Sequence, residues 1–142
     1  MKKIIVLAFA VITIGSAQAQ KVDASKVPDV VKTSFAKQFP SVTAVKWEKE
    51  KGDFEAGFKS NGKEMSALFT VAGVLKESEV AIKVTELPDA VTNYVKEHYK
   101  GKTVKGAAKI TTAAGVVKYE AEVNGKDVMF DQTGKFLEEV KD

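Results

Sequence analysis

From Val27 the apolar positions fall at a helical spacing: Val27, Val30, Val31, Phe35 and Phe39 form one stripe with Ser34 among them, and Pro40 ends the segment. Pro28 suits the first helical position and Asp29 the positive end of the helix dipole, so a helix is expected to open here. From Val42 the period changes to two. Val45 and Trp47 alternate with Ala44, Lys46 and Glu48 in a first strand, Gly52-Asp53 turns the chain, and Phe54, Ala56 and Phe58 share one face of a second strand. Asn61-Gly62 predicts a two-residue type I′ hairpin, a turn that needs positive φ at both central positions. That turn sets the register. Phe58 should face Met65, Ala56 face Ala67 and Phe54 face Phe69 on the core side, with Lys59–Glu64, Gly57–Ser66 and Glu55–Leu68 on the other. Thr70 to Gly73 turns into a fourth strand from Val74 to Ile82, whose Lys76, Glu77 and Glu79 would guard a sheet edge if it is one.

The same order of elements then recurs. Val27-Pro28-Asp29-Val30-Val31 has its counterpart in Leu87-Pro88-Asp89-Ala90-Val91, 60 positions later. Leu87, Ala90, Val91, Tyr94, Val95 and Tyr99 repeat the first stripe, with Tyr94 in the place of Ser34. Strand-like segments follow from Thr103 to Thr112, Val116 to Val123, Lys126 to Asp131 and Lys135 to Val140, with Asn124-Gly125 repeating the hairpin turn. Within the hairpins the offset between the halves changes only in even steps, which keeps each side chain on its own face of the strand. Tyr119 should therefore face Phe130, and Ala121 face Val128. The expected fold is α+β, as two tandem repeats, each one helix packed on a four-stranded antiparallel sheet. Their bounds are 20–82 and 83–142, and the segment joining them lacks the Gly, Ser or Pro richness of a flexible linker. A unit of roughly 60 residues buries only about 60% of its unfolded surface, so the halves should stabilise each other.

Composition changes the picture mainly at the N-terminus. Lys2 and Lys3, the apolar run Ile4 to Ile14 and Ala17-Gln18-Ala19 read as a signal peptide over residues 1–19, which places the remainder in the periplasm or outside the cell as a soluble chain. The apolar run falls short of the ~20 residues of a spanning helix, so stable membrane insertion is not expected after cleavage. Cysteine is absent, which excludes disulfides, thiolate chemistry and a lipid-bearing cysteine. The net charge of +3 includes Lys2 and Lys3, acids and lysines are interspersed, and every basic residue is Lys. That balance argues against nucleic acid or an anionic membrane as partner, and the lack of Arg against bidentate phosphate recognition.

Candidate chemistry is sparse. His98, the single histidine, sits on the flank of the second stripe with no nucleophile or orienting acid in a supporting spacing, so it reads as a surface or boundary residue. No cofactor or metal motif is present, and the expectation is a chain without enzymatic activity. Leu68 and Met129 fall by register on the face opposite the core stripe, where large apolar residues can mark a binding patch. Trp47 joins them as a candidate, either a core or boundary residue or an exposed anchor, since no short turn pins its strand. Glu122 and Asp127 should lie directly opposite each other on the outward face with Glu120 nearby. They form either a solvated acidic patch relieved by lysines or a site for Ca²⁺ or another cation.

The helix opening with x-Pro-Asp, then Phe39-Pro40, Val45-Lys46-Trp47-Glu48, Phe54-Glu55-Ala56 and Asn61-Gly62-Lys63, resembles the PepSY-like family of β-lactamase-inhibitor-like exported proteins across essentially the whole chain after the signal segment. The resemblance implies two copies of a helix plus a four-stranded antiparallel sheet, with a sheet surface that engages a protein partner in inhibitor-like relatives. The second half departs from the pattern, with Ala107-Ala108-Lys109-Ile110 in place of the Trp47 segment and Asp131 where the first half has Thr70. A Trp-centred surface would therefore belong to the first half alone. The function expected is an exported non-enzymatic module that binds or inhibits an envelope or secreted protein through its open sheet face; the alternative is a small-ligand or cation-binding protein using Glu120, Glu122 and Asp127.

Overall fold

The computed structural model describes residues 19–141; the expected signal peptide lies outside them but for Ala19. Nine strands follow one another across a single antiparallel sheet: β1 (Gln20–Val22), β2 (Val45–Glu50), β3 (Asp53–Ser60), β4 (Lys63–Phe69), β5 (Leu75–Ile82), β6 (Val104–Thr112), β7 (Val117–Val123), β8 (Lys126–Asp131) and β9 (Phe136–Lys141). Helix α1 (Asp29–Gln38) lies in the connection from β1 to β2, and α2 (Asp89–His98) in that from β5 to β6. Each helix begins one residue later than expected. Pro28 and Pro88 take the cap position, each extended at φ −55, while Asp29 and Asp89 occupy the first turn. Pro28 still serves the helix through its carbonyl, which accepts from the Val31 and Lys32 amides.

The hairpin register is the one the turns dictate. Asn61 and Gly62 have φ of 49 and 74, Asn124 and Gly125 of 55 and 72, and Phe58 faces Met65 while Tyr119 faces Phe130. Cross-strand partners share a face, so the series Met65, Val80, Lys109, Tyr119, Phe130 traces one side of the sheet from β4 to β8. Both helices pack on this side. Val31 and Phe35 of α1 meet Trp47, Phe54, Phe58 and Phe69, while Val91 and Val95 of α2 meet Ala107, Ala121, Val128 and Phe130. Phe35 holds the first cluster together, standing edge-on to Trp47 at 5.6 Å and to Phe58 at 5.1 Å between ring centres. In the second half the aromatic weight moves to Tyr94, which stacks on Phe136 at 4.9 Å and on the exposed ring of His98 at 4.0 Å.

Two expectations about strand edges are corrected. β5 is a central strand, paired to β6 from Glu77↔Thr112 to Ile82↔Ala107, so Lys76, Glu77 and Glu79 guard no edge in the folded chain. The halves are thereby fused into one sheet through backbone hydrogen bonds that neither half could satisfy alone. The polar lead before the first helix also contains a strand: β1 pairs with β2 with Val22 opposite Trp47. Ile82 opposite Ala107 is the same pairing at the second half, so β1 stands beside β2 as the end of β5 stands beside β6. Edge and connection alike then pass through a single 3₁₀ turn, Ala24–Lys26 or Val84–Glu86, into the helix.

Candidate functional site

The face turned away from the helices carries the unusual chemistry. Buried polar side chains among the described residues are Glu50, Glu55, Ser66, Glu79, Glu120 and Asp127, and the ladder puts all of them on this face. Alternation accounts for the placement, because Glu48↔Glu55, Gly57↔Ser66↔Glu79 and Glu120↔Met129 are one residue out of step with the core stripe. Their burial requires that the sheet curl. Glu79 on β5 and Asp127 on β8 are three strands apart, ~14 Å in a flat sheet, yet the charge of Asp127 acts on Glu79. Register shifts at Leu68/Phe69, Val104/Gly106 and Met129/Phe130 mark bulges, which bend strands and add to the normal twist. Small residues also lie on this face, with Ala81 opposite Ala108 and Gly57 opposite Ser66.

Burying a carboxylate raises its pKa, because the low-dielectric surroundings penalise the charged form. Burial pushes Glu55 up to about 7, opposed by a hydrogen bond from Ser66 and reinforced by Glu48, Glu50 and Glu77. Glu79 rises to about 8 by burial, with Glu55, Glu77 and Asp127 adding like-charge repulsion. Burial also raises Glu50, partly offset by Lys51. Oε1 of Glu55 and Oε2 of Glu50 are buried with no hydrogen-bond partner. Several acids on this face have an apolar or small neighbour across the ladder: Leu68 lies between Glu55 and Glu77, Ile110 opposite Glu79, and Ala108 and Met129 on either side of Glu120. Lys118 is opposite Ile110, and Lys46 opposite Gly57 at the rim.

The residues singled out from sequence fall differently from one another. Trp47 is not an exposed anchor: it is 7% exposed and packs under α1 on the helix side, because β2 is held between β1 and β3 in a register that turns it inward. Leu68 is half-buried on the concave face. Met129 lies on that face too but is 1% exposed, since the curl closes over β8, so it offers no free apolar surface. Glu122 does face Asp127, and Glu120 lies nearby on β7. The trio is not a solvated outward patch, however, for Glu120 and Asp127 are buried and Glu122 half-buried. No group of three His, Cys, Asp or Glu side chains among the described residues stands close enough to hold a metal ion. Glu55 and Glu79, the centre of the cluster, were not singled out. The signal available was their parity: both alternate out of phase with core residues on strands that are interior to the sheet.

No helix among the described residues is long and apolar enough to cross a membrane. No curated protein matches the chain in sequence. The fold is shared by a BLIP-like protein from Bacteroides fragilis, 23% identical with a TM-score of 0.63 over 79% of this chain and 84% of that one. A DUF2874 family protein from Bacteroides uniformis is 20% identical, with a TM-score of 0.70 over 79% and 87%. A protein described as a "putative periplasmic" one from Bacteroides eggerthii is 19% identical, with a TM-score of 0.68 over 80% and 87%. At these identities the likeness is one of fold. The sequence model described as "Putative beta-lactamase-inhibitor-like, PepSY-like" matches residues 14–77 and again residues 60–138. With both halves matched and the curved sheet in place, the chain belongs to the PepSY-like, beta-lactamase-inhibitor-like family.

Proposed function

We propose that this chain is an exported, non-enzymatic binding module, two repeats at residues 20–82 and 83–142 in each of which one helix is followed by four strands, with β1 added ahead of the first, that engages an envelope protein through the concave sheet face. The observation that carries this reading is the gathering of every buried polar side chain among the described residues on the face the helices leave open. Burying carboxylates costs stability, and a sheet needing only a scaffold would do better with apolar or solvated residues there. Function is where such costs are retained. The inhibitor-like description of the family and the BLIP-like relative support a protein as the partner. Leu68, half-buried between Glu55 and Glu77, is the apolar contact point of this surface, and Trp47 has no part in it.

The test is capture from envelope extract by the immobilised protein. A folded Leu68→Lys/Glu77→Lys variant should lose the captured partner, while Val30→Lys on the exposed side of α1 should keep it. Equal capture by all three would overturn the reading. A second reading, a small cationic ligand at Glu120, Glu122 and Asp127, draws on the direct pairing of Glu122 with Asp127, whereas Ca²⁺ is disfavoured there because no three carboxylates converge among the described residues. Calorimetric titration with a panel of small cationic ligands that gives only heat of dilution would remove it.

A further inference from the structure

We infer that the concave face recognises lysine or arginine side chains of its protein partner, with cationic heads drawn to Glu55, Glu79 and Asp127 and aliphatic stems lying along the half-buried Leu68. This rests on the reading of the concave face as the docking surface and names what it docks. Charge is the first argument. The face bears Glu48, Glu50, Glu55, Glu77, Glu79, Glu120, Glu122 and Asp127 against Lys21, Lys46 and Lys118, while Lys59 is committed to Glu64 at 3.0 Å and Lys76 to Asp53 at 2.7 Å. The second is the unsatisfied hydrogen-bonding capacity. Glu55 is 5% exposed, and its Oε1 has no partner. A buried carboxylate oxygen left in that state is an acceptor waiting for a charged donor, and supplying one gains far more than the same contact in water.

The spacing of the acids separates the candidate cations. A calcium ion needs six to eight oxygens converging at about 2.3–2.6 Å. Here the carboxylates are spread over β3, β5, β7 and β8, and no three converge. The half-buried Leu68 stands instead between Glu55 and Glu77 across the ladder, an apolar surface flanked by acids. Lysine and arginine complement it, with a charged head on an apolar stem that buries along hydrophobic surface. The surroundings also predict the pH response. Burial, reinforced by the charges of Glu48 and Glu50 from β2, Glu77 from β5 and Asp127 from β8, holds protons on Glu55 and Glu79 near neutrality, with Lys21 on β1, Lys46 on β2 and Lys118 on β7 the cations of the same face. An incoming cation displaces those protons, so binding should tighten from pH 6 to pH 9 and release protons in between.

The probe is a capped peptide alternating lysine and glycine, titrated calorimetrically into the purified protein at 0.15 M salt, with Ca²⁺ and spermidine in parallel cells. The expected result is peptide binding that weakens about tenfold or more in Glu79→Gln and in Glu55→Gln, while Glu97→Gln, which removes the same charge from the exposed side of α2, changes it less than about twofold. Proton release, read from the dependence of the heat on buffer, should vanish with the two site variants. Far-UV circular dichroism establishes that each variant is folded. Absence of peptide binding, an equal loss in Glu97→Gln, or binding of Ca²⁺ or spermidine in place of the peptide would each overturn the inference. If it falls while envelope capture remains sensitive to Leu68→Lys/Glu77→Lys, the face docks a partner of other chemistry and the proposed function stands. Insensitive capture would take both down.

Discussion

Burial of Glu55 should make the protein lose stability as the pH rises through neutrality, and Glu55→Gln should remove much of that loss. In the unfolded chain the carboxyl titrates near 4.5, and in the folded one near 7. Below pH 4.5 both states hold the proton and the group contributes nothing. Between the two values the folded state keeps a proton that the unfolded state has shed, so stability falls with rising pH and levels off above about 7. The displacement is about 2.5 units, which at about 1.36 kcal/mol per unit amounts to ~3 kcal/mol. Glu79 extends the fall to about pH 8, but its charge and that of Glu55 repel each other, so the two contributions do not add. Groups displaced the other way act outside this window: Asp23 and Asp131 are lowered by hydrogen bonds and matter only in acid. Gln at position 55 can keep the Ser66 hydrogen bond without the charge, so the variant should be more stable than the parent by about 2–3 kcal/mol at pH 9 and nearly equal to it at pH 5. Urea unfolding at pH 5, 7 and 9, followed by Trp47 emission and far-UV circular dichroism, measures this. A parent whose stability is flat or rises from pH 5 to 9, or a Gln variant with the parent's slope, would refute the argument that this face is dry enough to hold protons.

Other perturbations test the packing beneath that face. Gly134 has φ +87, and a Cβ there would stand 2.8 Å from the Ala90 Cβ, so Gly134→Ala should cost about 2–4 kcal/mol in urea unfolding. Gly125→Ala, at φ +72 with open space around it, should cost about 1–2; equal costs would mean that the β8–β9 turn does not bear on α2. Phe35→Ala should lose about 3–5 kcal/mol and redden Trp47 emission as the ring beside the indole disappears. Tyr99→Phe removes the hydroxyl that donates to Glu139 and should lower stability by about 1 kcal/mol, an effect absent from a Glu139→Ala background. Because β5 pairs with both β4 and β6, thermal unfolding by Trp47 emission, which reports the first half, should coincide with that by far-UV circular dichroism.

The helices, the hairpins and the core face were legible because each rests on a local device. Pro-Asp opens a helix, Asn-Gly demands a type I′ turn, and the turn then dictates which side chains face each other. The fusion of the two sheets was not legible, since pairing of β5 with β6 depends on how α2 folds back and no short turn enforces it. β1 escaped notice because three residues are too few to show a period. The site was half legible for the same reason. Parity placed Glu120, Glu122 and Asp127 on the outer face correctly, but exposure depends on curl, a property of the whole sheet that no single strand encodes. Curl turned Met129 from an exposed patch into a buried floor and brought Glu79 to where the charge of Asp127 is felt.

The acidic residues of β5 also have a role before the native state is reached. Every ladder but two joins strands linked by a short turn, so β2 to β5 can assemble with little loop to close, whereas β5–β6 must wait for the segment carrying α2. A chain that folds from its N-terminus as it is delivered therefore passes through a stage in which β5 is the last strand of an unfinished sheet, its outer amides and carbonyls unpaired. In that interval Glu77 and Glu79 sit on a bare edge and repel any second chain that would add to it in the place of β6. The same carboxylates that the finished sheet buries at a cost are then charged and solvated, and they protect the half-built protein from pairing with its neighbours.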